Sequence, residues 1–154
     1  MKKEKKFDKK VNKNNINNII TYIENGKNIK QMIEEAENVS KVNITNVSRS
    51  KIRNIFGTVK KMEMTEIGSN EKKNDQPVDN TMKRLDPRIY DELLLLKPKL
   101  AYTKSRFDKT GYENLEFIIG NAIDKVKIDD FITFKRFCQF FEDLMAYHHC
   151  YGEK

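Results

Sequence analysis

Apolar residues recur at intervals of three and four along most of this 154-residue sequence, and nowhere do they alternate with polar residues at intervals of two. That spacing places them on one side of successive α-helices and leaves no strand to build a sheet from. Ile16, Ile19, Ile20 and Ile23 make a first stripe, and Gly26 is a suitable residue to close its helix. Ile29, Met32, Ile33, Ala36 and Val39 make a second, with Glu34, Glu35 and Glu37 expected to face outward. Ile52, Ile55, Phe56, Val59 and Met62 trace a narrow third face on a helix predicted from Ser48 to about Glu66.

Asp86 followed by Pro87 is an N-cap and first-turn pair that starts a fourth helix. Its run Leu93 to Leu96 predicts burial on several sides, and Pro98 is expected to kink or end it. Leu115, Ile118, Ile119, Ala122, Ile123 and Val126 belong to a further helix opened by Thr110 and Gly111. The last, from about Asp129 to Tyr151, carries Phe131, Phe134, Cys138, Phe141, Leu144, Met145 and His148. The fold class is therefore all-α, a compact bundle of five to six helices. Residues 14–152 form one domain, residues 1–13 with seven lysines form a flexible basic tail, and residues 65–80 lack periodicity and form an exposed loop.

Charge is distributed unevenly. Residues 1–64 carry 15 Lys and Arg against 7 Asp and Glu, while the rest of the chain carries 15 against 16. The excess of cation lies in the first part, which favours a polyanion as partner. No apolar stretch follows the first lysines and the longest aliphatic run is four residues, so neither a secretory signal nor a membrane span is expected. The expected setting is the cytoplasm, with Cys138 and Cys150 as reduced thiols.

Side chains able to do chemistry are few. Cys138, His148, His149 and Cys150 could supply a nucleophile with its base, or a zinc site. On one helix, however, Cys138 and His148 stand roughly 15 Å apart, and His149 and Cys150 diverge by about 100°. A buried Cys138 with surface or interface histidines is expected instead, with no metal and no cofactor. Asp129 with Asp130 and Asp91 with Glu92 suit helix starts. The six glycines form neither a phosphate-binding loop nor a dinucleotide fingerprint.

The basic residues organise better. Arg49, Arg53 and Lys60 fall within about 40° of one another around their helix, a ladder able to meet a phosphate backbone, with a solvated helix face as the competing reading. Lys97, Lys99, Lys104 and Arg106 gather about Pro98, with Tyr102 among them, which is expected to belong to the core.

Four segments then point to a family: Ser50-Lys51-Ile52-Arg53-Asn54-Ile55-Phe56; Lys97-Pro98-Lys99-Leu100-Ala101-Tyr102 with Arg106; Arg136-Phe137-Cys138; and Ala146-Tyr147 to Tyr151-Gly152. In order and content, residues 45–152 resemble the small subunit of the type III-A CRISPR (Csm) effector complex. The resemblance implies an all-α, non-catalytic protein that binds guide RNA (crRNA) and target RNA in antiviral defence. It also implies backbone and large Csm subunits as partners and self-association along a minor filament. By position it assigns RNA contacts to Lys51, Arg53, Lys97, Lys99 and Arg106. Helical geometry and the C-terminal motif add Arg49, Lys60 and Arg136. Ser105 stands where the family commonly has glycine before the arginine matched to Arg106. A helical DNA-binding regulator, reading duplex through the helix from Ser48, and a protein-only scaffold are the alternatives.

Overall fold

In the computed structural model, residues 7–71 and 83–152 are described, and they contain six α-helices. These are α1 (Asn17–Asn25), α2 (Ile29–Val42), α3 (Arg49–Glu71), α4 (Pro87–Arg106), α5 (Thr110–Ile123) and α6 (Phe131–Tyr151). The only extended pairing among the described residues is an isolated bridge between Lys127 and Asp130. The class is all-α.

Helix α6 occupies the centre, packed against α1, α2 and α3, while α4 lies across α5 and α3. Its placement follows from its side chains: Phe131, Phe134, Phe137, Phe140 and Phe141 are all buried. Each such ring withdrawn from water contributes about 1.5–3 kcal/mol. Phe141 meets Phe137 edge-on at 6.1 Å and Phe56 of α3 at 5.8 Å, which seats α3 on the central helix.

Local chemistry sets the helix ends. Gly26 adopts φ 77°, a left-handed conformation open to glycine, and its N–H bonds back to Tyr22 O. Asp86 and Asp130 accept from Arg88 N and Ile132 N, capping α4 and α6. Ahead of these two helices, Leu85 N donates to Ile128 O and Phe131 N to Lys83 O, so the two lead-in segments run side by side.

Several expectations need correction. Helix α3 continues to Glu71, and Glu66 is buried, so the segment expected as a loop from residue 65 is helical at its start. Residues 72–80 of that expected loop lie outside the described residues, as do residues 1–6 of the expected tail. The remainder of the tail is anchored at Asp8 and Val11, while Phe7 is exposed. Asp8 is buried, its carboxylate accepting from Thr45 N, Thr45 Oγ1 and Asn46 N at 2.9, 2.5 and 2.8 Å. Val11 N donates to Asn114 Oδ1, and Lys9 N to Val42 O. Hydrogen bonds, which leave no apolar periodicity, hold this segment.

Helix α4 runs on through Pro98 to Arg106 and buries one stripe, Ile89, Leu93, Leu96 and Leu100. Leu94 and Leu95 are exposed, because α3 and α5 cover only that side. Ile29 is exposed at the start of α2. Glu35 does not face outward; its Oε1 accepts from Asn18 N and Ile19 N and so caps α1.

Candidate nucleic-acid interface

Helix α3 presents two flanks. Ile52, Val59 and Met62 are buried along its inner face, so residues on either side of that stripe border different neighbours. Arg49 and Lys60 border α6. Arg49 Nη2 donates to His149 O at 2.6 Å, and Lys60, beside Cys138 and Glu142, pairs with Glu63 at 3.0 Å. That hydrogen bond, with the attraction of the same carboxylate, raises the Lys60 pKa. Arg53 is exposed, with no ion pair among the described residues. The ladder of Arg49, Arg53 and Lys60 thus keeps its angular alignment, but two of its three cations have partners within the chain.

Lys51 lies on the opposite flank, toward α4. Its Nζ stands 5.1 Å from the centre of the Phe107 ring, and Phe107 in turn stacks on Tyr112 at 4.9 Å. There α3 and α4 enclose a groove of about 500 Å³, lined by Lys51, Asn54 and Thr58 from one helix and by Lys99, Tyr102 and Thr103 from the other. Ile55, Leu96 and Leu100 lie between. Among the described residues, no carboxylate lines it.

The opposite flank of α4 is different. A second hollow of about 310 Å³ between α4 and α5 includes Lys97, Glu116 and Asp124. Lys97 is paired with Asp124, and Lys104 with Glu116 at 3.4 Å. Pro98 sits between two lysines that face opposite grooves, a sorting that follows from the 100° step between successive residues.

Of the eight basic residues singled out from the sequence, Lys51 and Lys99 share the α3/α4 groove. Arg106 joins them at its edge, with its guanidinium carbon 5.8 Å from the centre of the Tyr102 ring. Arg136 lies elsewhere: its Nη1 donates to Ile23 O at 3.3 Å, at the C-terminal end of α1. Tyr102, expected in the core, is 63% exposed, because it projects from α4 away from the leucine stripe. Asn54 and Thr58 were missed by sequence reasoning. Their spacing of three and seven from Lys51 is the signal that finds them.

The thiols and imidazoles are not assembled. Cys138 is buried beside Val59 and Glu63, and burial followed by the nearby Glu63 carboxylate pushes its thiol far above the ordinary range. His148, expected at the surface or an interface, is 1% exposed. Its Nε2 lies 2.9 Å from Val47 O, and burial lowers its pKa. His149 and Cys150 are exposed. No group of three or more His, Cys, Asp or Glu able to hold a metal ion occurs among the described residues.

A family model described as Csm2 Type III-A matches residues 26–154. The chain belongs to the Csm2 Type III-A family. It is accordingly a subunit of a type III-A CRISPR Csm complex. The Csm2 match begins at Gly26, so it takes in α2 to α6 and both helices of the basic groove. No curated protein and no solved structure matches the chain. No helix among the described residues is long and apolar enough to cross a membrane.

Proposed function

We propose that this Csm2-family chain is a non-catalytic RNA-binding subunit, which holds guide and target RNA against the α3/α4 groove within the minor filament of a cytoplasmic effector complex. One observation carries the reading: Lys51 and Lys99 face one groove from two helices, and no carboxylate among the described residues lines it. Cations held on rigid elements without a carboxylate partner keep their charge for phosphates, whereas an internally paired lysine must first give up its carboxylate. Arg106 at the groove's edge extends the same surface, while the exposed Arg53 offers a cation on the other flank of α3. The internal partners of Arg49, Lys60, Lys97 and Arg136 make them weaker contributors. Base pairing with the guide supplies sequence specificity, as in other guided effectors. The non-catalytic reading is supported by Cys138 and His148, each buried against different neighbours and away from this groove.

The test is RNA affinity of the assembled complex across a salt series, with the subunit as wild type, Lys51→Ala/Lys99→Ala or Lys97→Ala. The double variant is expected to bind every sequence more weakly, with a salt slope shallower by about 0.7–1 per cation removed. Lys97→Ala is expected to leave the slope nearly unchanged. Equal affinity and equal slope for the double variant and wild type overturn the reading.

A further inference from the structure

The α3/α4 groove has properties that phosphate binding alone does not need. Its floor is apolar, with Leu96 and Leu100 only 2% and 3% exposed, and at its rim stands the Tyr102 ring, 63% exposed. A groove that met only a phosphate backbone would gain nothing from a hydrocarbon floor. We propose that it takes an unpaired nucleotide of the RNA, with the base stacked on Tyr102 and the neighbouring phosphates met by Lys51 and Lys99. The inference rests on the RNA-binding reading above and specifies which form of RNA the groove receives.

Size, charge and shape agree. A volume of about 500 Å³ lies within the range of small-molecule sites, about 300–1,000 Å³, and is of the size for one nucleotide. The two lysines, with no lining carboxylate among the described residues, match the phosphates that flank a base. The Tyr102 ring is polarised by the Arg106 guanidinium 5.8 Å from its centre, so a base laid against it completes a stack of cation, ring and base. Asn54, exposed on the α3 side, has a side-chain amide with no hydrogen-bond partner among the described residues. It offers both a donor and an acceptor to a base edge. A base stacked and paired within a helix presents neither its face to Tyr102 nor its Watson–Crick edge to Asn54. Recognition of single strands and splayed nucleotides through aromatic rings follows the same physics elsewhere.

The chain contains no tryptophan, so Tyr102→Trp introduces the one indole of this subunit. The difference in emission between complexes assembled with this variant and with wild type reports on that indole alone. Single-stranded RNA, or a target carrying one unpaired nucleotide, is expected to quench it saturably, and a fully paired duplex to leave it unchanged. In parallel, anisotropy of labelled RNA is expected to show about tenfold weaker binding for Tyr102→Ala and wild-type binding for Tyr102→Phe, which keeps the ring. RNA that binds through Lys51 and Lys99 without quenching, with equal affinity for the Ala and Phe variants, overturns the stacking and leaves the RNA-binding reading intact. RNA binding indifferent to Lys51 and Lys99 as well removes both. Tyr102 is 63% exposed and lies outside the buried core, so these substitutions do not threaten folding.

Discussion

The Arg49 guanidinium donates to the carbonyl oxygen of His149 across 2.6 Å, fastening the first residue of α3 to the last turn of α6. Carbonyls in a final turn have no partner inside their own helix, and a cation there also meets the negative end of the helix dipole. A residue that looks available for phosphate is thereby committed to the fold. Arg49→Ala is expected to lower stability by about 1–2 kcal/mol, as read by urea unfolding. RNA affinity of the assembled complex is expected to change far less than with Lys51→Ala.

Asn114 carries a larger share of the architecture. It is buried, its Nδ2 donating at 2.7 Å to both Lys9 O and Asn43 O, and its Oδ1 accepting from Val11 N at 3.0 Å. One amide thus joins the N-terminal segment, the end of α2 and the start of α5. Asn114→Ala deprives buried backbone groups of partners and is expected to cost about 3 kcal/mol or more. Amide exchange should rise first in residues 8–12, before the core of α6 opens.

Gly152 lies against the imidazole of His148 so closely that a Cβ at this position would overlap the ring. The ring is buried and held at Val47 O, so it has no room to withdraw. Gly152→Ala is expected to destabilise the protein by about 1–3 kcal/mol, read as a lowered Tm, while its φ of −81° means that crowding and not backbone strain is the cause. The same contact accounts for glycine in the Tyr-Gly motif near the C-terminus.

His148 also gives stability a pH dependence of defined sign. Burial lowers its pKa, and the Arg49 charge acts in the same direction, against weaker opposing contributions from the Val47 and Ile44 carbonyls and Asp8. Above pH about 6.5, the imidazole is neutral in both the folded and unfolded chain, and its full contribution is present. As pH falls below that value the unfolded chain takes up a proton that the folded one resists, so stability declines toward the folded-state pKa. Urea unfolding between pH 7.5 and 5.5 is expected to show this loss in wild type and a shallower decline in His148→Gln.

Helix positions, the central phenylalanine stripe, the caps at Gly26, Asp86 and Asp130 and the basic segments of the family are all legible in the sequence, since each depends on residues within a turn or two of one another. The end of α3 was not: polar residues to Glu71 have no apolar period, yet Glu66 is buried. Asp8, Val11 and Asn114 were equally hidden, since their hydrogen bonds join residues up to 105 positions apart.

The sequence by itself determined the all-α class, the family and the stock of cations, because helical period, capping and motif order are local properties of a chain. Only the tertiary structure decided which cations are free to meet a ligand. Lys97 and Lys99 are two residues apart and chemically identical, yet the end of α5 brings Asp124 to the first while α3 brings to the second a groove with no carboxylate among the described residues. The availability of a charge depends on what the neighbouring helices place beside it, and that is set by packing across the bundle.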